Sequence, residues 1–147
     1  MTIFYAASYT GSDRFQKYHD LIKEVLKTSK VSVKFPEKIK TGDPILTYYE
    51  SVRAGISQSD AVIFEVSHED FQLGYELNQA LLLKKPTLCL SVFEDFSQKI
   101  ENRFFFAAKY DEYSISEIIT DFINNAKKGH LTERFNMFLS PAQLLHL

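Results

Sequence analysis

Asp60 to Leu90, DAVIFEVSHEDFQLGYELNQALLLKKPTLCL, decides how the rest of the chain is read. Ala61 to Val66 is an apolar run too short for a helix and rich in β-branched and aromatic residues, which marks a buried strand. After Gly74, Leu77, Ala80, Leu81 and Leu82 fall near a helical repeat, and Lys84-Lys85-Pro86 closes it with cations and then a breaker. Thr87 to Val92 is a second apolar strand. Strand, loop, helix and strand at this spacing form a βαβ unit, whose sheet is parallel and covered on both faces. Ligands of such sheets bind beyond the carboxyl ends of the strands, which places the loop Ser67 to Gly74 at a site.

That loop supplies two carboxylates. Glu76 falls in or beside the first turn of the helix, two residues after Gly74, a glycine whose bare backbone admits a ligand closely. The positive end of the helix dipole favours the ionised form of Glu76, and an ionised, partly buried carboxylate there is a candidate nucleophile or general base. Asp70 is placed to converge on the same pocket. The plainer reading is that Glu76 complements the dipole and Asp70 caps the helix; spacing leaves both readings open.

The remaining segments extend the pattern on either side. Thr2 to Ala7 is a first strand, followed by the small and polar loop Ser8-Tyr9-Thr10-Gly11-Ser12-Asp13, whose amides and hydroxyls suit an anion but lack full dinucleotide or P-loop spacing. From Asp13 to Lys30, Tyr18, Leu21, Ile22, Val25 and Leu26 repeat at helical spacing. Val31 to Phe35 alternates like an edge strand. Asp43-Pro44 opens a helix with Ile45, Tyr49, Val52 and Ile56 on one face, and Asp60 closes a turn before the central strand. Phe104 to Ala108 reads as a last strand, and Ser114 to Glu117 has capping-box spacing ahead of Ile118, Ile119, Phe122 and Ile123. The order is β-α-β-α-β-α-β-β-α over residues 1–129.

Residues 130–147 differ in kind. Arg134, Asn136 and Phe138 alternate with Phe135, Met137 and Leu139 before Ser140-Pro141 starts a helix, which resembles the opening of a ribbon-helix-helix DNA-binding module. A tail packed on the domain or on a second subunit is the alternative.

Composition narrows the classes. At 147 residues and 45% apolar, the chain suits one domain with a full core. No stretch would span a membrane and no secretory leader is visible, so a cytoplasmic protein is expected. A net charge of -2 speaks against general nucleic-acid binding, leaving DNA as a partner only through the tail. The single cysteine, Cys89, excludes an intrachain disulfide and falls in a buried strand. His19, His68, His130 and His146 lack metal-ligand spacing, so neither metal nor cofactor is expected.

From Ile3 to about Lys128 the chain resembles the nucleoside 2-deoxyribosyltransferase superfamily, which includes the 2'-deoxynucleoside 5'-monophosphate N-glycosidases. IFYAASYTGS, SDAVIFEV and above all GYELNQALLLKKPTLCL carry the likeness, with Ser97 and Ile100 adding a fainter match. The resemblance implies a flavodoxin-like α/β sandwich with a five-stranded parallel sheet, and a homodimer in which the Ser97 loop reaches the neighbouring site. It also implies a nucleoside or nucleotide substrate, with Glu76 attacking the anomeric carbon and Asp70 assisting. Ser8 and Gly11 would hold the 5' end, while Phe4 or Tyr9 would line the pocket. Three positions depart from the family pattern: Val52 where many members have an aspartate, Thr10 where an arginine is usual, and Asp70 where monophosphate hydrolases tend to have a serine. A non-catalytic nucleotide-sensing domain and a glycosidase acting on a dinucleotide are the rival readings.

Overall fold

A computed structural model describes residues 1–8, 14–36, 44–68, 70–94 and 102–128, with only the backbone of 44–49. Among the described residues, nine elements run in the expected order: β1 (Thr2–Ala7), α1 (Gln16–Thr28), β2 (Ser32–Lys34), α2 (Pro44–Gln58), β3 (Ala61–Glu65), α3 (Phe71–Leu82), β4 (Thr87–Ser91), β5 (Phe105–Lys109) and α4 (Ile115–Lys127). The five strands form one wholly parallel sheet in the order β2-β1-β3-β4-β5. This is the flavodoxin-like order, which reverses direction between β1 and β3 and opens a crevice at their carboxyl ends.

Alternation along the strands divides the core in two. Ile3 and Tyr5 of β1, Ala61 and Ile63 of β3, and Leu88 and Leu90 of β4 face α1 and α4, where Ile22, Leu26, Ile115, Ile119, Phe122 and Ile123 meet them. Phe4, Ala6, Val62 and Phe64 face the other way, onto Val52 and Ile56 of α2 and Leu73 and Ala80 of α3. On that second face the packing is close enough to require a glycine: a Cβ at Gly55 would come within 2.0 Å of the Phe4 ring. β2 is short and half exposed, as its alternating sequence implies for an edge. Asp60 ties β1 to β3, accepting the Thr2 amide at 2.7 Å and donating its own amide to the Thr2 carbonyl at 2.8 Å.

Helix ends account for the differences from the sequence reading. α3 begins at Phe71, before Gly74, because the Asp70 carboxylate accepts the amides of Gln72 (2.9 Å) and Leu73 (3.3 Å). Its inward stripe is therefore Leu73, Glu76, Leu77, Ala80 and Leu81, and Leu82 points outward. The Ser114 to Glu117 capping box does not form. Ser114 instead closes a box three residues earlier, its hydroxyl accepting the Asp111 amide at 3.0 Å while the Asp111 carboxylate accepts the Ser114 amide at 2.9 Å. α3 ends with Lys84 at φ 57°, a left-handed turn in which the Lys85 amide reaches the Ala80 carbonyl and the Lys84 amide the Leu81 carbonyl, both at 3.0 Å. Asp43 and the segment 130–147 lie outside the described residues, as do the side chains of Ile45 and Tyr49.

Candidate active site

The crevice between β1 and β3 gathers residues from two connections. Ser8 follows β1 directly and donates its hydroxyl to Asp70 Oδ2 at 2.8 Å, while Asp70 Oδ1 holds the first amides of α3. Asp70 thus caps the helix and also joins the first loop to the third.

Glu76 stands one turn further into α3 than expected, in the second turn. It occupies the inward stripe, where a helix on a sheet normally carries an apolar residue, and is 1% exposed. Its Oε1 accepts Gln72 Nε2 at 2.8 Å, but its buried Oε2 has no hydrogen-bond partner among the described residues. Desolvation raises its pKa above the ordinary value, opposed by the Gln72 hydrogen bond and the charge of Arg53 on α2. The expectation that the helix dipole favours the charged form is therefore corrected. The first-turn amides that concentrate the dipole are taken up by Asp70, and burial governs Glu76.

Gly74, four residues into α3, is exposed, and no atom lies within 4 Å of where its Cβ would stand. Phe4 sits beneath the crevice in the core, its ring against Gly55. Val52, also 1% exposed, fills the position of the family aspartate with core packing. Tyr9, Gly11 and Ser97 lie outside the described residues.

Sequence reasoning missed a second buried carboxylate. Glu65 ends β3, accepts the Ser67 amide on Oε1 at 2.5 Å, and accepts the Tyr110 hydroxyl on Oε2. Burial raises its pKa, with the bonds from Tyr110 and Ser67 acting against that rise. A glutamate closing an all-apolar strand was the available signal, since a strand covered on both faces cannot turn the side chain to water. Also unforeseen was a pair on the α1 side, in which the Tyr5 hydroxyl and His19 Nδ1 lie 2.6 Å apart. Burial pulls His19 below the usual imidazole value, with Lys23 adding to that effect and Asp20 opposing it.

Rings from several connections collect at the same end of the sheet. Phe15, just before α1, meets Phe93 after β4 edge-on at 5.8 Å and His68 at 6.4 Å, and the Arg14 guanidinium lies over Phe15 at 5.1 Å. Phe93 is more than half exposed, and its ring offers a surface on which a planar heterocycle could stack. Cys89 is buried in β4, and burial followed by the Glu65 charge pushes its thiol up to about 12, which makes it an inert core residue. Among the described residues no group of three or more His, Cys, Asp and Glu is arranged to hold a metal ion, and no helix is long and apolar enough to cross a membrane.

No family model matches the chain, and no curated protein matches it in sequence. Its fold is similar to that of solved enzymes. A 2-deoxyribosyltransferase from the psychrotolerant bacterium Bacillus psychrosaccharolyticus aligns with a TM-score of 0.56 and 15% identity over 79% of this chain and 90% of its own. A 2-deoxyribosyltransferase from Leishmania mexicana aligns with a TM-score of 0.54 and 20% identity over 78% of this chain and 96% of its own. The resemblance read from the sequence thus extends to the fold.

Proposed function

We propose that the protein is an enzyme of the nucleoside 2-deoxyribosyltransferase superfamily that cleaves or transfers at the N-glycosidic bond of a (deoxy)nucleoside or nucleotide, with Glu76 as nucleophile. The carrying observation is the buried Oε2 of Glu76, which no described residue satisfies, on the helix whose first turn Asp70 links to Ser8. An unpaired buried carboxylate oxygen is costly, and one at the crevice of a parallel sheet has a use if a reacting carbon approaches it. In the first step this oxygen bonds to the anomeric carbon, the carbon–nitrogen bond breaks, and its electron pair leaves with the base, which takes up a proton. Asp70 orients the substrate or assists that proton transfer. In the second step water or another base attacks the anomeric carbon and releases Glu76 as carboxylate. Dividing one difficult displacement into two suits a transition state of oxocarbenium character.

Ser8 and Gly11 hold the 5' end in this reading, and Gly74 leaves room for the sugar. The protein works in the cytoplasm as a homodimer whose Ser97 loop reaches the neighbouring site. Light scattering tests the assembly: a monomer with full activity removes Ser97 from the site. A nucleobase-release assay over nucleosides and their monophosphates tests the chemistry. Release by the wild type and none by Glu76→Gln supports it, whereas full turnover by that variant removes Glu76 from the mechanism.

Val52 favours a second reading, a nucleotide-sensing domain, because the position of the family aspartate is closed by a core side chain. A panel in which a ligand raises the unfolding temperature but no base is released would select it.

A further inference from the structure

A second buried carboxylate stands at the carboxyl end of β3 and has no part in the proposed glycosidic chemistry. Glu65 is 2% exposed. Strand alternation turns it toward α1 and α4 together with Ala61 and Ile63, whereas Glu76 lies on the α2 and α3 side. Its two oxygens have separate partners: the Ser67 amide at 2.5 Å and the hydroxyl of Tyr110, which directly follows β5. Ser67 in turn accepts the Val92 amide on its Oγ at 2.9 Å, just beyond β4. The ends of β3, β4 and β5 are therefore tied through one buried serine, three residues before the aspartate that starts α3.

Tyr110 is itself held from below. It meets Tyr18 of α1 edge-on at 6.0 Å and, with Tyr18, belongs to the packing on the sheet face that carries Tyr5 and the Tyr5 to His19 pair. A hydroxyl fixed on that side gives Glu65 a defined direction, and Glu65 passes it to the Ser67 amide. A carboxylate is the side chain that suits this place, because it presents two acceptors to two donors.

We infer that Glu65 is a positioning residue: together with Tyr110 it fixes Ser67, and through Ser67 the short loop that delivers Asp70 to Ser8 and to the first turn of α3. The consequence for catalysis rests on the reading of Asp70 and Glu76 as the site; the anchoring of the loop does not. Displacement of catalytic groups by a fraction of an ångström lowers turnover more than it weakens binding, so the effect belongs in kcat.

The test uses Tyr110→Phe, Glu65→Ala and Glu65→Gln in the full chain, with two readouts. In amide hydrogen exchange, the first two variants should speed exchange at Ser67 at least tenfold more than at Val62 and Ile63 in the middle of β3. In base release, kcat should fall about tenfold with KM within about twofold. Glu65→Gln should recover part of both, since its amide oxygen still accepts the Ser67 amide. Unchanged exchange at Ser67, or an equal rise at all three amides, would overturn the anchoring. An effect confined to KM would overturn the positioning role. Should the wild type release no base from any nucleoside or monophosphate, the glycosidic reading fails while the exchange contrast still decides whether Glu65 anchors the loop.

Discussion

Two buried glutamates at the same end of the sheet, on opposite faces, have opposite surroundings. Glu65 places each oxygen against a donor, and Glu76 leaves one oxygen without a described partner. Burial raises the pKa of both. The difference is what offsets the cost: on one face each oxygen meets a donor at the strand ends, and on the other one oxygen is left without a described partner. Satisfaction of hydrogen bonds, more than burial or pKa, is what distinguishes the two carboxylates.

The sharpest way to break this contrast is to neutralise Glu76. Glu76→Gln should lower base release by on the order of 10³-fold or more in steady-state assays, because the amide keeps the shape and loses the nucleophile. Asp70→Ser comes next. A serine still caps α3, so the fold should hold, but removing a carboxylate about 5 Å from a bound phosphate relieves roughly 3 kcal/mol at an effective dielectric near 20. The ratio of dissociation constants should then shift toward monophosphates by about a hundredfold, and a wild type that already prefers them would refute this role. Gly55→Ala probes the packing under Glu76. With a Cβ 2.0 Å from the Phe4 ring, the variant should lose about 3 kcal/mol in urea denaturation although alanine is the better helix former.

Stability against pH sharpens the comparison further. A carboxyl whose folded pKa is raised contributes stability below its unfolded value, and that contribution is lost as pH rises through the folded value. Above its raised folded value, then, charged Glu76 opposes folding. Glu76→Gln should melt roughly 2–4 °C above wild type at pH 7, and the gap should close toward the ordinary value of 4.5. Glu65→Gln should instead be less stable at pH 7, by about 1 kcal/mol, since its amide oxygen still accepts the Ser67 amide but the Tyr110 hydroxyl loses its carboxylate acceptor. Equal responses from the two variants would erase the distinction. The smallest effect belongs to Lys84→Gly, where relief of the left-handed backbone should add about 0.5–1 kcal/mol and leave both glutamates untouched.

Much of this was legible in the sequence because hydrophobic period reports the side a residue faces. The runs at Thr2 to Ala7, Ala61 to Val66 and Thr87 to Val92, separated by helical stripes, specify parallel strands without any structure. Asp70, Gly74 and Glu76 could be read as a unit because they lie within the cap and first two turns of one helix. What the sequence concealed depends on pairing between distant segments. Nothing local joins Glu65 to Tyr110, 45 positions apart, or Ser8 to Asp70, 62 apart. The capping bonds were hidden for a different reason. Asp70 captures amides ahead of the apolar repeat of α3, whereas α4 starts after Ser114 as its sequence reads, with Asp111 in place of Glu117 as the partner of Ser114.

The strand order has a kinetic consequence. β1, the earliest strand in the chain, lies between β2 and β3 in the sheet, and its longer pairing is with β3, where Ile3 to Ala7 match Ala61 to Glu65. During synthesis, its apolar Ile3 to Ala6 must wait for about 60 further residues before that partner can close beside it. Parallel pairing across such a loop carries a large closure entropy before any contact repays it, so collapse around the more local β3-α3-β4 unit is the faster nucleus. The ribosome therefore releases the strand that leads into Ser8 before its β3 partner, and the crevice it borders takes shape only after the central unit has folded.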